Sequence, residues 1–339
     1  MTEADRTLAI HGGAGEIRDE LERALFELKR VIVGQEQMLE RVLVALLAGG
    51  HLLIEGVPGL AKTLTVKTLA DVFSGAFHRI QFTPDLVPSD LVGTRIYRAG
   101  SGEFDTELGP VFCNVLLADE INRAPAKVQS ALLEVMQEHQ VTIGGRTYPV
   151  PEPFLVLATQ NPIESEGTYP LPEAQVDRFL LKILVDYPDH VDELAVVQRS
   201  LVGPADVERV VSVERLQELQ RMAGTVYVDP QVTEYAVKLV LATRRPAAHG
   251  LPELAAHVAY GASPRGSIGL IHAARALALL RGRRYVLPQD VRELAKDVLR
   301  HRLVLTYQAL ADEVAPDGVL DAVLREVGMP RIDLAREAA

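Results

Sequence analysis

The sequence predicts an α/β fold in which a parallel sheet flanked by helices forms a core, followed by a small all-helical domain. Three observations lead there. Between residues 51 and 186, short apolar runs of strand length alternate with helical patterns, as in a sheet covered on both faces. A glycine-rich loop separates the first of these runs from the helix behind it. Beyond Tyr187 and Pro188 the strand signals almost vanish and helical patterns take over.

The elements follow in order. Residues 17 to about 33 read as a helix with Leu21, Ala24, Leu25 and Leu28 on one face. The polar, glycine-rich stretch before it, residues 1–15, reads as a flexible start. A second helix runs from 35 to about 47 and ends at Gly49 and Gly50. Strands are expected at 51–55, 78–83, 115–118, 154–158 and 180–185, with a helix over about 63–73 behind the first. Two insertions interrupt the alternation. Residues 93–111 suggest a hairpin turning at 99–102, and residues 140–150 alternate around Gly144 and Gly145, a two-residue hairpin signal. Helical patterns then begin near Asp189, Ser212, Asp229, Ser263 and Pro288, several with Asp or Ser as cap and Pro at the first helical position. The expected organisation is a core over 16–188 and a helical domain over 189–339.

Bulk properties narrow the function. At 339 residues and 48% hydrophobic content, the chain has core material for two domains. A single cysteine, Cys113, allows no internal disulfide and fits a reducing cytoplasm. No apolar run approaches the roughly 20 residues that span a bilayer, so no membrane insertion is expected. The start lacks the apolar block of a secretory signal. A net charge of −11 argues against general binding to nucleic acid, which requires phosphates to be neutralised. The one compact basic cluster, Arg281, Arg283 and Arg284, reads as a solvated helix end.

The chemistry concentrates at strand ends. Gly56, Val57, Pro58, Gly59, Leu60, Ala61, Lys62 and Thr63 follow the first strand and open a helix. A phosphate needs unhindered backbone N–H groups, a helix N-terminus and a lysine charge, and this loop offers all three. Lys62 is placed to reach outer phosphates and Thr63 to offer its hydroxyl to magnesium. A second apolar strand ends in Asp119 and Glu120, at the carboxyl edge where a parallel sheet binds ligands. Asp119 suits magnesium held through water, and Glu120 suits activation of an attacking water. A third strand ends at Asn161, whose amide can orient that water. Two arginines complete the set: Arg178, just before the last strand, and Arg265, in the first turn of a long helix. A cation at a helix N-terminus opposes the helix dipole, so an anion should compensate Arg265.

Taken in order, GVPGLAKT, LLADEINRAP, LATQNP, EGTYPLPEAQVDRF and GASPRG resemble the AAA+ superfamily, and in detail its MoxR family. The resemblance covers roughly residues 17–327. It implies a P-loop AAA+ core with a helical lid, and ATP and Mg2+ as cofactors. It makes Lys62 and Thr63 Walker A, Asp119 and Glu120 Walker B, Asn161 sensor 1 and Arg265 sensor 2. Arg178 becomes the arginine finger given to a neighbouring subunit, and Val33 and Gly34 the segment against the adenine. Alanine at position 61, where glycine is usual, is accepted in that family. The two insertions resemble those of the same clade, where exposed loops can grip a substrate or shield a sheet edge.

The resemblance further implies a ring, expected to be hexameric, and a protein client remodelled or matured with a von Willebrand A domain partner. Two other readings come from the same clade. A DNA-remodelling or helicase-like ATPase would need basic hairpin tips. The first hairpin mixes Arg95 and Arg98 with Glu103, Asp105 and Glu107, and the second has only Arg146. A metal-chelatase motor subunit is the other. The Asn-Lys-x-Asp guanine motif, the Leu-Ser-Gly-Gly-Gln signature and HExxH are all absent from the sequence.

Overall fold

The computed structural model describes residues 3–57, 59–100, 102–162, 167–203 and 205–332. They form two compact units. A core unit comprises Glu20–Phe179 and Ile183–Leu219, and a helical unit comprises the chain up to Asp19, Leu180–Lys182 and the chain from Gln220 onward.

In the core unit the elements alternate as their apolar patterns indicate. Helix α1 (Glu3–Val31), which belongs to the core unit from Glu20 onward, and helix α2 (Glu36–Leu47) precede strand β1 (Leu52–Gly56), helix α3 (Lys62–Val72) and strand β2 (Phe77–Gln81). Helix α4 (Pro88–Val92) leads into hairpin β3 (Gly93–Arg98) and β4 (Glu103–Leu108). Strand β5 (Val115–Asp119), helix α5 (Ala126–Glu138), hairpin β6 (Gln140–Ile143) and β7 (Arg146–Pro149), and strand β8 (Leu155–Gln160) follow. Helix α6 (Glu173–Val176), strand β9 (Leu181–Val185) and helix α7 (His190–Val202) complete the series. Helix α1 is longer than expected: its backbone is helical from Glu3, within the stretch read as a flexible start, although apolar periodicity begins only at Ile17.

The sheet order is β2-β5-β8-β1-β9, and the registers of β2 with β5, β5 with β8 and β1 with β8 are parallel. Strands β1, β5 and β8 are buried along nearly their whole length, which is why their sequences are continuously apolar rather than alternating. Leu53, Phe82, Leu116, Val156 and Phe179 pack into the main core. Cys113 is buried there too, its thiol pushed up to about 12 by desolvation. At the amino end of β1, fully buried His51 accepts from the Val156 N–H at Nδ1 (3.1 Å). This leaves Nε2 to donate to the Met136 carbonyl at 3.0 Å. Burial lowers its pKa to about 4.

Both hairpins form at the expected places. Gly144 and Gly145, with φ of 57° and 82°, make the tight turn between β6 and β7. The hairpins touch one another: a Cβ on Gly144 would lie 2.0 Å from Cδ of Arg95, and the Tyr148 hydroxyl donates to Thr106 at 3.2 Å.

Residues 189–219, read from the sequence as the start of the helical domain, make their contacts within the core unit. Arg199 donates to the carbonyls of Lys29 and Arg30 at 3.1 and 2.8 Å, and Arg215 pairs with Glu20 at 2.9 Å. Side-chain anchoring of this kind leaves no trace in helical periodicity.

Helix α8 (Val213–Thr225) runs from the core unit into the helical unit. There α9 (Pro230–Arg244), β10 (Val258–Tyr260), α10 (Pro264–Leu280), α11 (Pro288–Leu299), β11 (Val304–Leu305), α12 (Tyr307–Ala311) and α13 (Pro316–Glu326) follow. Asp229 caps α9 and Ser263 caps α10 with side-chain oxygens, and Pro230 and Pro264 stand at the first helical position. A short antiparallel pair, β10 with β11, accompanies the helices. Among the described residues no helix is long and apolar enough to cross a membrane.

Candidate active site

The loop after β1 turns into α3 through two left-handed residues. Gly59 has φ of 86°, and Ala61, the N-cap of α3, has φ 53° and ψ 18°. That conformation favours glycine, so alanine at 61 holds a strained backbone where glycine is usual. The N-terminus of α3 opens onto a cavity of about 440 Å³ bordered by Gly56, Gly59, Leu60, Ala61, Lys62 and Thr63. The backbone N–H groups of a helix's first turn and its dipole suit such a place to an anion. Lys62 is half-buried, and its ammonium rests on the Gly56 carbonyl at 2.5 Å. Burial pushes its pKa down, opposed by the charges of Asp119, Glu120 and Glu55.

The far wall of the same cavity carries Asp119, Glu120, Thr159 and Asn161. Register explains the meeting: Ala118 of β5 pairs with Ala158 of β8, so the next residues of both strands emerge at one sheet end. Thr159 ties the acids together. Its hydroxyl donates to Asp119 at 2.6 Å, and its oxygen accepts the Glu120 N–H at 2.8 Å. Glu120 itself sits in the left-handed region, φ 56° and ψ 51°. For a non-glycine residue this is strain of about 1–3 kcal/mol, of the kind stored at functional sites.

Sequence reasoning missed the residues that hold these acids. From β2, Arg79 binds Asp119 at 2.7 Å and Gln81 donates to Glu120 at 2.7 Å. Arg123, three residues beyond Glu120, reaches the same carboxylate oxygen at 3.1 Å. The available signal was the order of polar Arg79 and Gln81 around buried Ile80, but only the parallel pairing of β2 with β5 gives it meaning. The donor set suits magnesium: a hydroxyl at Thr63 and a carboxylate at Asp119, both hard oxygen ligands, border one cavity.

The remaining expected residues lie elsewhere. Arg178 does not border this cavity. It lines a second one of about 560 Å³ with Ser130, Glu134, Glu138 and Gln175, and donates to the Leu133 carbonyl at 3.0 Å. Gly34 lies against α7, where an added Cβ would come within 2.3 Å of the Asp192 carboxylate. Val33 precedes it in the same turn, half-buried. Arg265 belongs to the helical unit, in the first turn of α10. Pro58 lies outside the described residues.

Comparison with known proteins places this geometry. Residues 51–181 match the model of the ATPase family associated with various cellular activities (AAA), and residues 253–323 match the AAA lid domain. Chaperone MoxR1 of Mycobacterium tuberculosis is 61% identical over 92% of this chain and 83% of its own. The uncharacterized protein YeaC of Bacillus subtilis is 44% identical over 91% and 95%. Protein MoxR of Methylorubrum extorquens is 32% identical over 92% and 96%. A crystal structure from Cytophaga hutchinsonii, described as an inferred ATPase, superposes with a TM-score of 0.90 at 48% identity, over 96% of this chain and 99% of that one. A parallel sheet with a glycine-rich loop and paired acids at its carboxyl end, an AAA lid match and relatives along nearly the whole chain lead to one assignment: the chain belongs to the MoxR family of AAA+ ATPases.

Proposed function

We propose that this chain hydrolyses ATP within a ring of its own copies, in the cytoplasm, and uses that energy to remodel or mature protein complexes. One observation supports the catalytic part above all others. Lys62, Thr63, Asp119, Glu120 and Asn161, distant in sequence, border a single cavity.

Thr63 and Asp119 would hold magnesium, which would supply charge neutralisation to the phosphates. The chain's own residues do the rest, mainly by positioning. Lys62 leaves the Gly56 carbonyl for the outer phosphates. Glu120 accepts a proton from the attacking water while Asn161 orients it. Water oxygen bonds to the terminal phosphorus, and the bond to the departing diphosphate breaks. The family resemblance supports Val33 and Gly34 as the segment that would lie against the adenine, and Arg265 as the residue that would read the terminal phosphate. Arg178, outside its own chain's cavity, would serve a neighbour's site. An arginine supplied in trans is worth ~10³ or more in rate.

The name of the MoxR1 relative supports a chaperone role, and the family resemblance implies a von Willebrand A domain partner. The hairpins fit a protein client better than nucleic acid. Tyr97 and Phe104 are 56% and 60% exposed, with ring centroids 5.2 Å apart, and Arg98 is already paired with Asp105.

The test is the steady-state ATPase rate per subunit as protein concentration rises, with Glu120→Gln as the blank. A rate that climbs cooperatively and vanishes in the variant is expected. A fully active monomer would overturn the shared site.

A further inference from the structure

The peptide that joins Asp119 to Glu120 is held at both ends. The Asp119 carbonyl accepts the Phe82 N–H at 2.8 Å, and the Glu120 N–H donates to the Thr159 hydroxyl at 2.8 Å. The register of β5 with β8 runs as far as Ala118 and Ala158. One residue further, a side chain takes over from backbone pairing and supplies the partner that the Glu120 N–H needs.

The two bonds fix the Thr159 hydroxyl. A backbone N–H can only donate, so the hydroxyl oxygen accepts from Glu120; an ionised carboxylate can only accept, so the hydroxyl proton goes to Asp119 Oδ1 at 2.6 Å. Thr159 is sealed, 2% exposed. Its backbone is set from β1, where Ile54 lies opposite Thr159 and Glu55 opposite Gln160. The glycine-rich loop follows directly from that strand. Thr159 thus sets both acids relative to the loop, through two hydrogen bonds and one register. Asp119 has a second partner of another kind: Oδ2 accepts from Arg79 at 2.7 Å, and the Arg79 side chain is 45% exposed. A guanidinium and a divalent cation compete for one carboxylate because both are charged. A hydroxyl carries no net charge, so it can keep its bond to Oδ1 while a cation binds.

We infer that Thr159 is a positioning residue of this site. It holds the Asp119 carboxylate toward magnesium and the Glu120 backbone in its left-handed turn, and it stays in place when Arg79 is displaced. It acts through the two acids, and the inference rests on the hydrolysis proposed above. Groups that orient a metal-binding carboxylate are worth ~10–100-fold in metal affinity or activity. Displacement of a reacting group by about 1 Å can cost ~10²-fold in rate, so loss of one hydroxyl has a large readout.

The experiment compares Thr159→Val, which exchanges the hydroxyl for a methyl of similar size, with Thr159→Ser, which keeps the hydroxyl. Each is read in two ways. Affinity for a fluorescent ATP analogue is measured with and without magnesium in a Glu120→Gln background, where nucleotide is not consumed. The kcat and KM are then measured with Glu120 in place. For Thr159→Val, magnesium-free affinity should stay within about twofold of the parent, while the half-saturating magnesium concentration rises about tenfold and kcat falls about tenfold or more. Thr159→Ser should bring both back to within about threefold of the parent. Affinity lost equally with and without magnesium, or serine as poor as valine, overturns the inference in favour of a purely structural threonine. A Thr159→Val protein that behaves like the parent overturns it too. A parent no faster than Glu120→Gln overturns the hydrolysis reading alone, and the magnesium dependence of binding then decides for or against Thr159. If Thr159→Val fails to melt cooperatively, Thr159→Ala, which removes the hydroxyl without crowding the acids, decides by the same contrast.

Discussion

Arg79 and Asp119 meet at 2.7 Å in the core unit, and Arg283 and Asp290 meet at 2.6 Å in the helical unit. The chemistry is the same, but the surroundings differ. The side chains of the first pair are 45% and 17% exposed at the rim of the cavity beside α3, and those of the second are 19% and 1% exposed. Asp290 also accepts the Leu287 N–H at 2.8 Å and so caps α11. Solvation decides what each pair is for. A solvated pair contributes at most about 1 kcal/mol and can be exchanged for another cation, whereas a sealed pair cannot be opened without stranding a charge.

Substitution of one partner in each pair tests that contrast, and the largest effect should fall on the sealed one. Asp290→Ala leaves the Arg283 guanidinium without its carboxylate and uncaps α11. A loss of about 3–5 kcal/mol is expected, measured by denaturant unfolding. Arg79→Ala should cost under about 1 kcal/mol and instead tighten magnesium-nucleotide binding severalfold in a calorimetric titration, because Asp119 loses a competitor. Equal destabilisation by the two variants would break the comparison.

The next effect comes from the opposite end of the sheet, where His51 is sealed and neutral. Its pKa is lowered from 6.5 to about 4 by burial. The unfolded chain therefore binds this proton as pH falls below 6.5, while the folded chain refuses it until about 4. Stability is lost across that window, by about 3 kcal/mol in total, and is unaffected above it. Unfolding midpoints from pH 7 to 4.5 should flatten in His51→Gln relative to the parent. Parallel slopes would mean that other groups carry the acid sensitivity.

The same contrast governs how much was legible in the sequence. The strands at the centre of the sheet were readable because burial on both faces demands continuous apolar runs, and both hairpins because Gly144 and Gly145 or residues 99–102 must turn. As candidates, Asp119, Glu120 and Asn161 were readable because each stands at the end of such a run, and Lys62 because it follows the glycine-rich loop and opens a helix. Arg79, Gln81 and Thr159 were not, since their meaning depends on which strands become neighbours, and strand order is set by long-range pairing. The grouping of residues 189–219 with the core was hidden for a related reason: Arg199 and Arg215 bind partners more than a hundred residues away.

Gln81 offers a smaller test. It and Arg123 hold Glu120 by hydrogen bonds of 2.7 and 3.1 Å to one carboxylate oxygen. A base held in the resting state must be released before it can serve water, so Gln81→Ala should raise the basal ATPase rate a few-fold, as expected for one bond of about 1 kcal/mol. A fall in rate would mean that Gln81 aims Glu120 rather than restrains it.

The smallest effect concerns the two strained residues that frame the cavity, Ala61 at φ 53° and Glu120 at φ 56°. Glu120 cannot be relieved without removing the carboxylate that the proposed chemistry needs, whereas Ala61 contributes only a methyl group. Glycine at 61 removes a left-handed cost of roughly 1–2 kcal/mol, but it adds unfolded-state freedom worth about 0.4–1 kcal/mol. The difference leaves Ala61→Gly more stable by somewhat under ~1 kcal/mol, with nucleotide affinity little changed. Thermal unfolding of the nucleotide-free protein measures it. A destabilised variant would show that the methyl group packs usefully in the loop, and that the strain in this cavity resides at Glu120 alone.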